Sequence, residues 1–230
     1  MKTIKTTIPG RNDIELVDYY ESFEWYYPNC ELQTKDWVVK NAGRDWIYFD
    51  CGANIGYYSI LFSQLSPAGV VHAVEPTSTI EKLNRNISHN GCTNIHPHKV
   101  AVGKHPGRRV EKIYRIWGGP PDEIEYDFST IDSMVEQLGL KRLDCLKIDV
   151  DSFDFEVLMG AENTLERFDP WLIVELNHAL NLRGHSNMEA LSWLQKRGYR
   201  NCLVLDHDNF ITKRSATQNA TNNHIQLSFP

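Results

Sequence analysis

The sequence lacks a long apolar run, a basic block, a C-x-x-C pair and a G-x-G-x-x-G turn. Each absence removes a class of protein. No hydrophobic stretch approaches the ~18 residues of a membrane-spanning helix. Met1–Gly10 alternates polar and β-branched residues where a signal peptide would carry an apolar centre. The expectation is a cytoplasmic chain with no membrane span. Lys and Arg number 24 against 30 Asp and Glu, a net charge of −6, and no basic patch gathers along the chain. Nucleic acid is therefore not expected as a partner, because phosphate binding leaves a basic footprint. The five cysteines (Cys30, Cys51, Cys92, Cys145, Cys202) are scattered and odd in number, which fits free thiols in a reducing compartment. With 41% of its 230 residues hydrophobic, the chain can bury a full core without covalent staples.

What is present is an alternation of strands and helices from Trp46 onward. The pattern predicts strands at Ile47–Cys51, Val70–Val74, Ile95–Val102, Leu143–Val150, Trp171–Leu176 and Tyr199–Leu205, with a terminal alternating strand at His224–Phe229. Helices are predicted at Asn54–Leu65, Thr77–Asn90, Phe153–Phe168 and Met188–Arg197, and Asp206–Asn223 reads as a polar surface excursion. Such alternation implies an α/β fold with a parallel sheet and helices on both faces. The chain divides into an N-terminal helical and aromatic segment, 1–45, and an α/β domain, 46–230. In the first, Tyr19, Tyr20, Phe23, Trp25, Tyr26 and Tyr27 crowd together. They form either a stripe packed on the domain or a platform for a planar or cyclic substrate.

Four acids fall at the carboxyl ends of predicted strands: Asp50, Glu75, Asp149 and Glu175. Ligands of open α/β sheets bind along that edge. The first strand runs directly into Gly52-Ala53-Asn54-Ile55-Gly56 and then a helix, the layout of a nucleotide-binding corner. Glu75, about 20 residues on, is placed to take two ribose hydroxyls. A nicotinamide cofactor would call for G-x-G-x-x-G here. Asp50 at the head of the turn would repel a pyrophosphate but suits an ammonium. S-adenosylmethionine, with an ammonium, a sulfonium and no phosphate, fits better.

The blocks Asp50-Cys51-Gly52-Ala53-Asn54-Ile55-Gly56-Tyr57-Tyr58-Ser59, Ala73-Val74-Glu75-Pro76, Val100-Ala101-Val102-Gly103, Leu146-Lys147-Ile148-Asp149-Val150-Asp151, Glu156-Val157-Leu158-Met159-Gly160-Ala161 and Ile173-Val174-Glu175 resemble the FkbM family of S-adenosylmethionine-dependent methyltransferases. The resemblance spans roughly Asp45 to Leu205. The chain departs from the family pattern at Asp151-Ser152, where Glu-Gly is usual. The resemblance implies a Rossmann-like, seven-stranded, mostly parallel sheet with its last strand antiparallel, a role that His224–Phe229 would fill. It also implies transfer of a methyl group to a hydroxyl. Asp50 and Gly52 would then hold the amino-acid portion of the cofactor and Glu75 its ribose. Asn54 and Gly56 would shape the turn, and Ala101 would lie near the adenine. Asp149, with Asp151 and His178, is the candidate catalytic group, acting as a base. Alternatively Asp149, Glu175 and Asn177 hold Mg²⁺, Mn²⁺ or Ca²⁺, or Asp149 only orients the cofactor. The expected acceptor is a saccharide of a glycan, stacked on Trp117, Tyr26 or Tyr27 beside the loop Trp117–Tyr126. A polyketide or other small-molecule hydroxyl, and a non-catalytic cofactor-binding module, are the alternatives.

Overall fold

The computed structural model describes residues 2–6, 13–113, 123–215 and 224–226. Trp117, with its loop as far as Asp122, and the last residues of the predicted strand His224–Phe229 lie outside them. The central sheet is built from β1 (Ile47–Cys51), β2 (Val70–Val74), β3 (Ile95–His98), β4 (Cys145–Ile148), β5 (Trp171–Glu175), β6 (Asn201–Leu205), β7 (Asn209–Thr212) and β8 (His224–Gln226). Their order across the sheet is β8-β6-β7-β5-β4-β1-β2-β3. The strands from β3 across to β5 pair in parallel. β7 runs antiparallel to both β5 and β6. The expected seven-stranded, mostly parallel sheet is therefore present, with one change of membership. The antiparallel last strand is Asn209–Thr212, inside the stretch read as a polar excursion, and His224–Gln226 adds an eighth strand at the edge, antiparallel to β6. The reason is a hairpin turn after Leu205, where Asp206 and His207 take φ of 48° and 74°. Asp is among the few non-glycine residues that enter that region readily.

Alternate residues of each strand enter different cores. Phe49, Leu146 and Val174 join one apolar cluster, while Tyr48, Cys145 and Ile173 join the other. Both faces are thus covered by helices, as a parallel sheet requires. The helix Ile80–His89 shows why the covering works: Ile80, Leu83 and Ile87 recur on one face and all three are buried. The predicted helix Phe153–Phe168 is two, Asp154–Met159 and Glu162–Phe168. They meet at Gly160, where a Cβ would lie 2.1 Å from the Gly103 carbonyl oxygen. The predicted strand Ile95–Val102 also divides. Ala101–Val102 leaves the main sheet and pairs with Glu123–Ser129, which carries Gly107–Lys112 on its other side.

The N-terminal segment supplies a short antiparallel strand pair, Ile4–Thr6 with Ile14–Leu16, and two helices, Phe23–Asn29 and Leu32–Asn41. Phe23 and Tyr27 are buried in the same apolar cluster as Tyr57 and Ile60. Asn86 stitches the segment down. Its Oδ1 accepts from the backbone N–H of Val17 (2.9 Å) and Asp18 (3.0 Å). Its Nδ2 donates to Asp18 O (2.9 Å) and to Ile55 O in the glycine turn (2.8 Å).

Candidate active site

The strand order reverses between β1 and β4, and a cavity opens at the carboxyl ends of those strands, as it should in a doubly wound sheet. It encloses about 1170 Å³ including its open mouth. All four strand-end acids predicted from sequence, Asp50, Glu75, Asp149 and Glu175, line it. Gly52, Asn54, Ala101 and Asp151 line it too.

The glycine turn is held by its backbone. The N–H groups of Gly52 and Ala53 both donate to Val74 O at 3.0 Å, and Gly56 N donates to Ala53 O at 2.8 Å. Gly52, Asn54 and Gly56 take φ of 81°, 51° and 99°. At Gly52 a Cβ would lie 1.8 Å from the Asp149 carbonyl oxygen, so β1 and β4 approach closely there only because the residue is glycine. Gly56 stands outside the cavity lining, and the space a Cβ would need there is filled by Leu83. Glu75 is fixed by three donors: Asn54 N at 3.2 Å to Oε2, and Thr77 N (2.9 Å) and Thr77 Oγ1 (2.5 Å) to Oε1.

Beneath the turn lies a buried lysine that the sequence reading did not single out. Asp50 and Lys147 are register partners on β1 and β4, and both are almost fully buried. Ser59 Oγ donates to Asp50 Oδ2 at 2.5 Å, while Asp50 Oδ1 meets no donor in the protein. Lys147 Nζ donates to Asp149 Oδ2 at 2.7 Å and stands 4.6 Å above the Tyr58 ring. Burial works against the charge on Lys147, but Asp149, Asp50 and Glu31 outweigh it and hold the ammonium above the ordinary lysine value. Burial pushes the Asp50 carboxyl up, against the pull of Lys147. Burial and the neighbouring Asp149 carboxylate raise Asp151 to about 8 and Glu175 to about 10. Asp154, buried below them and accepting from Val150 N at 2.8 Å, is raised to about 7. Asp151 itself takes a φ of 63°. The hydroxyl of Ser152, which the departure from the family pattern adds, is buried and unpartnered.

Two predicted site residues are placed elsewhere. Asn177 is spent as a helix cap, its Oδ1 accepting from Ala179 N at 2.7 Å, and it does not line the cavity. His178 begins the short helix that follows and is exposed. Among the described residues no group of three His, Cys, Asp or Glu side chains is arranged to hold a metal ion.

The other wall comes from the N-terminal segment: Tyr20, Phe23, Tyr26, Tyr27 and Glu31. Tyr27 stacks on Tyr57 with ring centroids 4.8 Å apart. Tyr26 and Tyr27 were legible as candidates, whereas Glu31 was not. Glu31 has φ 54° and precedes the helix Leu32–Asn41. That helix start is anchored by Asp206, which accepts from Gln33 N (3.3 Å) and Thr34 N (2.8 Å). Asn209 Nδ2 donates to Glu31 Oε1 at 3.2 Å, and Asn209 is the register partner of Glu175. The hairpin β6–β7 thus sets Glu31 beside Glu175. A non-glycine residue at positive φ just before a helix was the one local anomaly here, and it is invisible in a sequence.

Comparison with family models matches residues 50–201 to the methyltransferase FkbM domain. Comparison with curated proteins finds no match. Among solved structures, the chain is similar to methyltransferase FkbM from Methylobacillus flagellatus KT (17% identity, TM-score 0.54), with 74% of this chain covered and 44% of that one. It therefore spans less than half the length of that protein. A methyltransferase from Geobacter sulfurreducens matches at 15% identity and TM-score 0.52, over 81% of this chain and 80% of its own. A Streptococcus mutans protein solved in complex with SAH matches at 10% identity and TM-score 0.51, over 79% and 96%. No helix among the described residues is long and apolar enough to cross a membrane. With the family model covering well over half the chain, and a sheet of the same class built around the matched blocks, the protein belongs to the FkbM family of S-adenosylmethionine-dependent methyltransferases.

Proposed function

We propose that this protein transfers a methyl group from S-adenosylmethionine to a hydroxyl of a sugar. The observation that carries the reading is a single cavity joining Asp50, Gly52 and Glu75 to Asp149 and to the tyrosines of the N-terminal segment. The residues present fit the methyl donor. Asp50 Oδ1, buried and without a donor, suits its ammonium, since a buried carboxylate oxygen left unpaired is costly. The Gly52–Asn54 turn lets its amino-acid portion lie against the backbone, Glu75 suits its ribose hydroxyls, and Ala101 lies on the adenine side. When bound it supplies an electrophilic methyl on a sulfonium.

The chain's own residues hold the acceptor oxygen in line with that methyl. Orientation of this kind can lower the barrier by up to about 7–11 kcal/mol. As the new C–O bond forms, the electron pair of the C–S bond stays with sulfur and the hydroxyl proton passes to Asp149. Base assistance adds roughly 10²–10⁴ in rate. Asp149 serves better than Asp151, because a carboxyl raised to about 8 is mostly protonated at neutral pH and cannot accept. Lys147 fixes the orientation of Asp149 through its 2.7 Å hydrogen bond. Residues 1–45 form the acceptor side, with Tyr26 and Tyr27 as the sugar-facing rings. The reading takes Asp149 as a base without a metal, with Asn177 spent as a helix cap.

The test is mass spectrometry of products from S-adenosylmethionine and a panel of neutral sugars, with aromatic and polyketide-like alcohols alongside. A singly methylated sugar is expected. Methylation of only the non-sugar alcohols would move the acceptor class. Cofactor binding with no transfer at all would leave a binding module. Activity lost in EDTA and restored by Mg²⁺ or Mn²⁺ would overturn the metal-free step.

A further inference from the structure

Among the described residues, the carboxylates of Glu31, Asp50, Glu75, Asp149, Asp151 and Glu175 share the cavity with one cationic side chain, Lys147. A methyl donor with one ammonium, one sulfonium and one carboxylate brings a single net positive charge. Its ribose engages Glu75 and its ammonium Asp50. That balance leaves Glu31, Asp149, Asp151 and Glu175 at the other end, where Lys147 lines the cavity with them and Lys35 also acts on Glu31. The crowding is built into the fold. Glu31 is held there through Asn209, opposite Glu175, at a positive φ of 54°.

A second, independent feature points to a ligand at the same place. Tyr58 is 5% exposed and lines the cavity, yet its hydroxyl has no hydrogen-bond partner in the protein. Glu31 and Asp149 are the carboxylates acting on it. Tyr26 and Tyr27 feel the same two acids. Carboxylates ringed by tyrosines make a site for an organic cation, which gains both from the charge and from the electron-rich ring faces. In the empty cavity Asp151 and Glu175 keep their protons; a cation lets Glu175 release its proton, and a neutral hydroxyl compound offers no such gain.

We infer that the acceptor carries a protonated amine, held by Glu31 and Glu175, by the Tyr58 hydroxyl and by the rings of Tyr26 and Tyr27, as in an amino sugar whose methylated hydroxyl lies at Asp149. This rests on the methyl-transfer reading for which end of the cavity the donor occupies.

The test is calorimetry on the full chain, with and without saturating S-adenosylhomocysteine. The titrants are matched pairs: glucosamine with N-acetylglucosamine, galactosamine with N-acetylgalactosamine, and tyramine with N-acetyltyramine. Acetylation removes the charge and keeps the rest. At pH 7 at least one amine should bind at least tenfold more tightly than its acetylated partner. Glu31→Gln should cut that preference at least fivefold while leaving S-adenosylhomocysteine affinity within twofold. No pair favouring the amine overturns the inference, whether both members bind equally, the acetylated one binds better or neither binds. A preference that Glu31→Gln leaves intact overturns the assignment to this site. If the variant fails to fold, the pairs on the unaltered chain still decide. Failure of the methyl-transfer reading appears separately, as absence of S-adenosylhomocysteine binding, and the amine preference is still read from the titrations without it.

Discussion

Around Asp50–Gly56 the backbone shapes the cavity. Three residues at positive φ, two N–H groups sharing the Val74 carbonyl and the absent Cβ of Gly52 fix the contour, with Asp50 and Glu75 among the side chains that line it. Around Glu31, Asp149 and Glu175 the contour depends on side chains from three distant segments, brought together by a hairpin and a helix start. The two ends therefore differ in what a single substitution can do. On the proposed reading, the backbone-built end takes the donor and is fixed with the fold, and the side-chain-built end takes the acceptor and can change its specificity one residue at a time while the sheet beneath stays intact.

The largest expected effect tests whether the acceptor end carries the chemistry. Asp149→Asn keeps the shape of the residue and its contact with Lys147 through the amide oxygen but removes the proton acceptor. Turnover should fall at least about 100-fold, with S-adenosylmethionine affinity within threefold by calorimetry. Normal turnover would take Asp149 out of the chemistry, and a parallel loss of cofactor affinity would assign it to the donor end.

At the donor end, Glu75→Ala removes the carboxylate fixed by Asn54 N and Thr77. Affinity for S-adenosylmethionine should weaken at least tenfold, or about 1.4 kcal/mol. The amine-over-acetamide preference should be unchanged. Unaltered cofactor affinity would remove Glu75 from ribose binding. A lost amine preference would show that the two ends are not separable.

The contrast also explains what the sequence disclosed. Asp50, Gly52, Asn54 and Glu75 are close in sequence and act through local geometry, so glycine spacing and strand ends sufficed to place them. The strand-end position of Asp149 and Glu175 was equally readable. Glu31 was not, because its place depends on the pairing of β5 with β7, and β7 itself looked like a polar loop. Lys147 sits mid-strand, where nothing in a sequence says that a lysine is buried against Asp50. Asn177 and His178 were drawn toward the site by adjacency to Glu175, but the chain turns into a helix there and the cap takes Asn177. Gly160 split a helix because of a contact with Gly103 that no periodicity reveals.

The last expected effect is on stability, and it sharpens the same division. Asp151, Asp154 and Glu175 fold with carboxyls at about 8, 7 and 10, against about 4 in the unfolded chain. Between those values the folded protein keeps protons that the unfolded chain releases, so stability falls as pH rises. The groups that act in the opposite sense do so outside pH 6.5 to 8: His72, lowered to about 4, His98, also lowered by burial, and the acids Glu15, Asp18 and Asp169 act below pH 6.5, and Lys35, lowered to about 8, acts above pH 8. The clean window is pH 6.5 to 8. There the ligand-free chain should lose about 1.4 kcal/mol per pH unit for each proton retained, measured by urea unfolding. Asp151→Asn should flatten the slope, because it takes one retained proton out of the balance. Stability that stays level or rises across this window would mean that the acids of the acceptor end are ionised in the empty cavity, and that the fold tolerates their repulsion without holding protons.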